Sequence, residues 1–297
     1  MAVLIRRAEA RTMRVVMIGA NGQLGSDLVS LGTAWDLIPL TRRELDICDF
    51  VHCRTVLSGA RPDLVINTAA FNRVDDSEDE PSSAFWANTY AVHNLARICG
   101  ELDYRLLHIS TDYVFGGEKR VPYTEEDPPN PLNVYGVSKL AGEYFVRDLC
   151  PKHFVVRTSG LYGVAGSRGK SGNFVETMIR LAKEGRPIRV VDDQVLTPTY
   201  TRDLAQKIKE LSDTEAYGLY HITNAGHCSW HEFAARIFAL LGLNPDFEPT
   251  TTAAFGAKAR RPAYSVLAHR NLQAIGIDIL RPWTEALEAY LRAKSYL

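Results

Sequence analysis

A tyrosine and a lysine four positions apart, Tyr135 and Lys139, have types and spacing suited to acid catalysis. They open a helical stretch, which places the phenol and the ammonium one turn apart on one face. A phenol has an ordinary pKa of about 10, and it donates a proton well near neutrality only if that pKa is lowered. A neighbouring lysine and the charge of a cofactor could lower it. The pair predicts a proton donor for carbonyl reduction, although the spacing is also typical of a surface helix with ion pairs.

A threonine adds a third candidate catalytic residue. Thr111 lies in Ser110-Thr-Asp-Tyr113, directly after a predicted strand. Parallel sheets place their chemistry at the carboxyl ends of their strands. We therefore expect Thr111, Tyr135 and Lys139 to lie together.

Three glycines follow the first predicted strand, at Gly19, Gly22 and Gly25, and a helix follows them. The first permits a tight turn, the second lets the backbone approach a pyrophosphate, and the third allows the helix to pack closely on the strand. The helix N-terminus supplies unpaired N–H donors. Glycine-rich turns also serve structural ends, but this placement predicts dinucleotide binding.

The end of the second predicted strand reads Thr41-Arg42-Arg43. An enzyme that uses NAD has an acidic residue here for the ribose 2′-hydroxyl, whereas two guanidinium groups suit a 2′-phosphate. The sequence therefore favours NADPH as the cofactor. NADH is left open, because the arginines could simply be solvated.

Short apolar runs alternate with segments of helical length in the first half of the chain. The predicted strands are Arg14–Ile18, Leu37–Leu40, Leu64–Asn67, Leu106–Ser110 and Phe154–Thr158. Apolar strands separated by helices indicate an α/β fold, a doubly wound parallel sheet of the Rossmann type.

The domain organisation predicted from the sequence has two lobes. Residues 13–158 form the cofactor-binding domain and 159–297 mainly a smaller, interleaved substrate lobe, from which about 199–223 returns to the sheet. In the second lobe we expect a helix at Asn173–Glu184, a strand at Ile188–Val191 and a capping box at Ser229–Glu232. Residues 1–12 are expected to be a flexible extension, or Met13 the natural start.

The composition argues against several classes of function. The formal net charge is −1, so no global field draws the protein to nucleic acid or to an anionic membrane. No apolar run reaches the length of a membrane span. The five cysteines are scattered without a CxxC pair, which favours reduced thiols in a cytoplasm. A homodimer is left open.

No metal site is expected. His227, Cys228 and His231 have no fourth ligand at a suitable spacing, and the acidic run 75–80 is explained by a helix start. Arg261, in the sequence Arg-Arg-Pro, could instead hold a substrate diphosphate, because guanidinium forks match phosphate oxygens. A solvated turn is the alternative for Arg261.

From Met13 onward the chain resembles the extended short-chain dehydrogenases, and within them the dTDP-4-dehydrorhamnose reductase family. The stretches that carry the resemblance are Gly19–Gly25, Asn67–Ala70 with Val74-Asp75, Ser110–Phe115, Tyr135–Lys139, Arg157–Ser159, Asn173-Phe174, Asp193-Gln194, Thr197–Thr199 and Arg261–Ser265. The resemblance implies NADPH-dependent reduction of a keto-sugar on a nucleoside diphosphate, conventionally dTDP-4-dehydro-L-rhamnose.

The resemblance also implies roles for individual residues. Tyr135 would protonate the sugar oxygen, Lys139 would lower its pKa and hold the nicotinamide ribose, and Thr111 would hydrogen-bond the carbonyl. Asp112 and Tyr113 would touch the sugar. The implied cofactor contacts are Gly19, Asn21, Gly22, Gln23, Leu24, Gly25, Arg42, Arg43, Asp46, Ile47, Thr68, Ala69 and Ala70, together with Tyr135 and Lys139.

Two positions weaken or qualify the resemblance. Asn88 stands where related enzymes keep an asparagine near the active site, but it is also explained as a surface amide. Gly160 stands where the rhamnose enzymes usually have a tryptophan. The loss of an aromatic surface there would put the identity of the sugar in doubt.

Two other functions remain open at this point. The first is an epimerase or dehydratase that acts on a nucleotide sugar; dehydratases typically carry Asp-Glu after the threonine, whereas this chain has Asp112-Tyr113. The second is a noncatalytic regulatory subunit, because the beta subunit of methionine adenosyltransferase resembles this branch. The intact Thr111, Tyr135 and Lys139 argue for catalysis.

Overall fold

A computed structural model describes residues 12–32, 35–166 and 172–297. Its strands are β1 (Arg14–Ile18), β2 (Asp36–Leu40), β3 (Leu64–Asn67), β4 (Arg105–Thr111), β5 (His153–Thr158), β6 (Leu161–Tyr162), β7 (Ile188–Val191), β8 (Val195–Leu196), β9 (Thr199–Tyr200), β10 (Gly218–His221), β11 (Cys228–Ser229) and β12 (Phe247–Thr250). The expected extension at residues 1–12 lies, apart from Thr12, outside the described residues.

The helices follow the strands along most of the chain. They are α1 (Gln23–Ser30), α2 (Phe50–Ala60), α3 (Val74–Asp79), α4 (Pro81–Phe85), α5 (Ala91–Glu101), α6 (Val134–Leu149), α7 (Phe174–Lys183), α8 (Thr201–Ser212), α9 (Trp230–Leu241), α10 (Thr252–Phe255), α11 (Arg270–Ala274) and α12 (Trp283–Ala293). None of the helices in the described ranges has both the length and the apolar content to cross a bilayer.

The central sheet has six parallel strands in the order β2-β1-β3-β4-β5-β10. One face is covered by α1, α8 and α11 and the other by α2, α5 and α6. Because both faces are covered, strands such as β1 are apolar throughout, and Val15, Val16 and Met17 are fully buried. The predicted doubly wound parallel sheet is confirmed.

The order of the strands changes direction between β1 and β3. In sheets of this kind, a crevice opens outside the carboxyl ends of the strands at such a point. The loops after β1, β3 and β4 therefore meet at one edge. This edge contains the predicted glycine turn and Thr111.

A third apolar cluster lies away from the sheet and is formed by α7, β7, α9 and α12. The predicted capping box is present here, because Ser229 accepts from the Glu232 N–H and the Glu232 carboxylate accepts from the Ser229 N–H. In the chain, β10 lies between these elements and pairs in parallel with β5.

The helical stretch that contains Asn88 is interrupted. A π-helical turn at Trp86–Tyr90 joins α4 to α5. It turns Asn88 inward, where the side chain binds the backbone of Phe71 and the hydroxyl of Ser138. Such turns are frequent at functional sites, and the surface-amide interpretation of Asn88 is wrong.

Candidate active site at the carboxyl edge of the sheet

The glycine turn has the close backbone contacts that its spacing predicts. Gly19 has a φ of +83°, and a Cβ atom there would lie 2.6 Å from Thr68 Oγ1. A Cβ at Gly25 would lie 2.1 Å from the carbonyl oxygen of Gly19. A side chain at either position would push β1, α1 and the β3 loop apart, so the first and third glycines are required sterically.

The N-terminus of α1 is available to a ligand. Gly22 is its N-cap and has no side chain to accept from the first turn. N–H groups left in this way, with the positive end of the helix dipole, suit an anionic pyrophosphate. The turn fits a dinucleotide.

The side chains of the first two residues of α1 already make contacts within the protein. Leu24 is packed in the core beneath the sheet, and Gln23 donates from Nε2 to the Leu161 carbonyl at 3.0 Å. Asn21 is partly buried within the turn. A bound phosphate would therefore meet the backbone at Gln23 and Leu24 rather than their side chains.

The end of β2 lies against the glycine turn. The N–H groups of Gly19 and Ala20 both donate to the Leu40 carbonyl, at 2.9 and 3.1 Å. Arg42 and Arg43 follow directly and are exposed; Arg42 pairs with Asp46 at 3.0 Å. The position of the two arginines directly after β2 agrees with the prediction that they meet a phosphate on the adenosine ribose.

The end of β3 forms another wall of this crevice. Thr68 donates its hydroxyl to the carbonyl of Ile18 at 2.9 Å, which joins β3 to the glycine turn. Ala69 and Ala70 follow with small side chains, and Ala70 is exposed. Ile47 is buried in the core on the other side of β2. A flat ring could lie over the small side chains without steric conflict.

Thr111 and Tyr135 come together beside Asp112. Asp112 is buried, and its carboxylate accepts from the hydroxyls of Thr111, Ser159 and Ser265 at 3.2, 2.8 and 2.6 Å. Burial raises the pKa of Asp112 to about 6, while these three hydroxyls lower it. Both carboxylate oxygens of Asp112 thus accept hydrogen bonds from the protein itself. Asp112 therefore positions Thr111 and holds the segment around Ser265.

The phenol of Tyr135 is not acidified by the protein. Burial raises the pKa of Tyr135 to about 12; the Thr111 hydroxyl lowers it, and the Asp112 charge raises it. Lys139 is not among the groups that shift the pKa of Tyr135 here. The predicted lowering by Lys139 together with the charge of a cofactor stays a prediction.

Lys139 points towards β4. It is 2 % exposed, and Nζ donates to the Ile109 carbonyl at 2.5 Å and lies 3.2 Å from Nε2 of His108. Burial lowers the pKa of Lys139 to about 8, and the Glu143 carboxylate raises it. The ammonium is thus one turn from the phenol but bonded to the neighbouring strand.

A cavity of about 380 Å³ lies beside Tyr113, the neighbour of Tyr135. Its lining residues are Arg73, Val74, Asp75, Asp76, Tyr113, Trp230 and Arg261. The ring of Tyr113 meets the ring of Tyr135 edge-on at 6.1 Å between centroids. The cavity therefore lies next to the candidate acid and has both aromatic and cationic surfaces.

Arg261 is held at this cavity by an acidic partner. Its guanidinium donates to both carboxylate oxygens of Asp75, at 3.1 and 2.7 Å. Arg261 holds the pKa of Asp75 below its usual range. A diphosphate would have to compete with this carboxylate for the guanidinium.

Gly160 adopts a left-handed backbone conformation against the β8–β9 segment. Its φ is +55°, and a Cβ there would lie 2.8 Å from Leu196 Cδ1 and 3.0 Å from the Thr197 carbonyl. The space of a larger side chain is filled by the β8–β9 segment. The aromatic surface of the cavity comes from Trp230, at the start of α9.

Sequence reasoning assigned no role to Trp230, Arg73 or His108. Trp230 lies within the predicted capping box at Ser229–Glu232, and Arg73 belongs to none of the predicted motifs. His108 carried a usable signal, because it is a lone polar ring in the apolar strand β4. Among the described residues, no group of three or more His, Cys, Asp or Glu side chains is arranged to hold a metal ion.

Comparison with known proteins identifies the family. A family model described as the RmlD substrate binding domain matches residues 13–295. The crystal structure of dTDP-4-dehydrorhamnose reductase from Bacillus anthracis in complex with NADP is 41 % identical, with a TM-score of 0.91, over 95 % of this chain and 100 % of that one.

Two curated relatives from Streptomyces are each 40 % identical. One, from Streptomyces griseus, is a dTDP-4-dehydrorhamnose reductase, and the match covers 92 % of this chain and 91 % of the relative. The other, from Streptomyces niveus, is a dTDP-4-keto-6-deoxy-D-glucose reductase, and the match covers 93 % of this chain and 96 % of the relative. The chain belongs to the dTDP-4-dehydrorhamnose reductase family of extended short-chain dehydrogenases.

Proposed function

We propose that this protein is an NADPH-dependent reductase of a nucleotide-linked keto-sugar, with dTDP-4-dehydro-L-rhamnose as substrate and dTDP-L-rhamnose as product. The observation that carries the proposal is the meeting of Thr111 and Tyr135 beside a cavity at the same sheet edge as the glycine turn. Family membership and the NADP bound to the Bacillus anthracis relative support the choice of cofactor.

The cofactor would be held by backbone and basic groups of the first half of the chain. Gly22 would let the pyrophosphate approach, the N–H groups of the first turn of α1 would bind it, and Arg42 and Arg43 would bind the 2′-phosphate. Asp46 and Ile47 would border the adenine, and Thr68, Ala69 and Ala70 the rest of the dinucleotide. NADPH, when bound, supplies the hydride for the carbonyl carbon.

The substrate would lie in the cavity next to Tyr113. Arg261 would exchange its bond with Asp75 for the diphosphate, and Trp230 would pack on an apolar face of the nucleotide sugar. Residues 13–158 would thus bind mainly the cofactor, and 159–297 mainly the substrate, with 199–223 contributing to the sheet. The five cysteines are unpaired, which supports a location in the cytoplasm.

The chain's own groups would carry the proton. The Thr111 hydroxyl would exchange its bond with Asp112 for one donated to the sugar carbonyl, and Tyr135 would deliver its proton to that oxygen. The phenolate left on Tyr135 would be stabilised by the ammonium of Lys139, one turn away on α6. The high pKa of Tyr135 keeps the phenol protonated until then.

The function is tested by measuring NADPH oxidation with dTDP-4-dehydro-L-rhamnose and identifying the product by NMR. A parallel assay with dTDP-4-keto-6-deoxy-D-glucose tests the substrate of the Streptomyces niveus relative. We expect turnover with the first sugar and slower turnover with the second. Tightly bound oxidised NAD without net consumption would indicate an epimerase, and binding of a partner protein without turnover would indicate a regulatory subunit.

A further inference from the structure

His108 is a buried histidine that the proposed proton transfer does not use directly. It lies within β4, is fully buried, and stands between Asn67 of β3 and Lys139 of α6. Its Nδ1 is 3.2 Å from Asn67 Nδ2, and its Nε2 is 3.2 Å from Lys139 Nζ. The imidazole therefore bridges the strand next to the glycine turn and the candidate catalytic lysine.

The orientation of the Asn67 amide determines which ring nitrogen carries the proton. The N–H of Ala69 donates to Asn67 Oδ1 at 3.1 Å, so the oxygen is committed to the backbone and the NH₂ group faces His108. An NH₂ group is only a donor, so Nδ1 must accept. A neutral imidazole that accepts at Nδ1 carries its proton on Nε2.

The Nε2–H group then faces the nitrogen of Lys139. An ammonium has three donors and no acceptor, whereas an uncharged amine has a lone pair. Because Nζ already donates to the Ile109 carbonyl, it can use that lone pair to accept from His108. When the lysine is uncharged, the His108 Nε2–H group has an acceptor. When the lysine is charged, the Nε2–H group faces an N–H group of the ammonium, and the two donors have no acceptor between them.

Few other charges face this pair. Glu143 on α6 is the charge that acts on Lys139, and further ionisable groups on the elements packed around the pair include Arg157 on β5, Asp112 after β4, Glu78 on α3 and Tyr135 itself. Arg157 binds Glu143 at 2.7 Å, Asp112 is bound by three hydroxyls, and Glu78 accepts from the Val134 N–H. The π-helical turn presents Asn88 and Thr89, which are uncharged.

We propose that His108, oriented by Asn67, is a positioning residue for Lys139, and that its Nε2–H group sets the protonation equilibrium of the lysine by favouring the amine. Burial already lowers the pKa of Lys139 to about 8, so the amine is accessible near neutral pH. The pKa of His108 is held well below its usual value by burial and by Lys139, so the ring itself stays neutral.

For the reaction, the inference rests on the proposed function. A lysine poised between amine and ammonium takes up a proton from solvent when negative charge appears on Tyr135, and passes it to the phenolate when the phenol is restored. The His108 contact would then set the alkaline limit of activity, because the amine cannot stabilise the phenolate. Without His108 as a donor, Lys139 would stay charged to higher pH.

The first test needs no substrate and no variant. ¹⁵N NMR of the full chain with labelled histidine distinguishes a protonated ring nitrogen from an unprotonated one. We expect the His108 proton on Nε2 between neutral pH and pH 9. A proton on Nδ1 would overturn the proposal, because Nε2 would then be an acceptor that favours the ammonium.

The second test reverses the tautomer. In Asn67→Asp, the carboxylate accepts from Nδ1–H, which leaves Nε2 free to accept from the ammonium. With labelled lysine, and Lys139→Arg to assign the signal, we expect the NMR midpoint of Lys139 to rise by about one unit. In Asn67→Asp/His108→Phe, the rise should be clearly smaller, because the imidazole no longer transmits it.

An unchanged midpoint in Asn67→Asp, or an equal rise in the double variant, would contradict the proposal. If the variants do not fold, the tautomer measurement decides the question by itself. In the enzyme assay, the alkaline limb of kcat/KM should move with the NMR midpoint. A protein that shows the NMR shifts but reduces no keto-sugar would refute the proposed function and leave this inference standing.

Discussion

The two sides of the cleft are assembled from the chain in different ways. The cofactor side joins the ends of β1, β2 and β3, which are neighbours in sequence and are tied by backbone bonds such as that from Gly19 to Leu40. The substrate side joins Asp75 to Arg261, 186 positions later, and Asp79 to Lys258. The cofactor side is formed by consecutive strands, whereas the substrate side forms only when distant parts of the chain are brought together.

The two sides also differ in rigidity. The contacts of the glycine turn are buried and sterically exacting, since a single added carbon at Gly25 would overlap the Gly19 carbonyl. The ion pairs on the substrate side are partly exposed, and such pairs contribute only about 0–1 kcal/mol each. This difference predicts a preformed cofactor site and a substrate site whose partners exchange on binding.

The largest effect is expected from the residue between the two sides. In Tyr135→Phe we expect kcat to fall by about 10²- to 10⁴-fold, because the proton donor is removed, while NADPH binding and thermal stability stay unchanged. Tyr144→Phe, on the exposed face of the same helix, is the matched control and should keep full activity. Steady-state kinetics and NADPH titration check both, and equal rates in Tyr135→Phe and wild type would refute the assigned role.

The next effect tests the substrate side alone. In Arg261→Gln we expect the KM for the nucleotide sugar to rise by about 10- to 100-fold, the range of a lost charge-assisted hydrogen bond, with no change in the KM for NADPH. Lys258→Gln removes a neighbouring cation that pairs with Asp79 and should alter neither KM appreciably. If Arg261→Gln raised the KM for NADPH instead, the division of the cleft would be wrong.

The third prediction tests the steric demand on the cofactor side. Gly25→Ala should lower the free energy of unfolding by about 2 kcal/mol and weaken NADPH binding, because α1 must move away from β1. Gly59→Ala in α2 is the control: a Cβ there meets nothing within 4 Å, and alanine should stabilise the helix by about 0.5–1 kcal/mol. Denaturant unfolding and calorimetric titration measure both quantities. Equal stability of the two variants would contradict the packing argument.

The smallest effect concerns the choice between cofactors. Arg43 is exposed after β2, and in Arg43→Ala we expect the KM for NADPH to rise by up to about fivefold, the size of one exposed ionic contact. The KM for NADH should not change, so the same variant provides its own control. A parallel loss for both cofactors would show that Arg43 does not distinguish the 2′-phosphate.

The sequence predicted the sheet and the glycine turn well, for a physical reason. Buried parallel strands are continuous apolar runs, so β1 and β3 have their predicted bounds, and the spacing of the glycines indicates where backbone segments make close contacts. The i, i+4 spacing of Tyr135 and Lys139 likewise fixes one helix face. These signals are local, and each can be read within about ten residues.

The features that the sequence did not predict depend on contacts between distant segments. Spacing along α6 could not show that Lys139 turns to Ile109 and His108, nor that burial raises the pKa of Tyr135 to about 12. The packing at Gly160 depends on Leu196 and the Thr197 carbonyl, which occupy the space of a larger side chain. Trp230 lines the cavity through the packing of the third apolar cluster.

A structure of the protein bound to NADP and a dTDP-sugar tests the central claim most directly. The account predicts that the sugar oxygen at the reducible carbon accepts from both Tyr135 Oη and Thr111 Oγ1 within about 3 Å, with Arg261 turned from Asp75 to the diphosphate. A sugar bound away from Tyr135, with Arg261 still on Asp75, would contradict it.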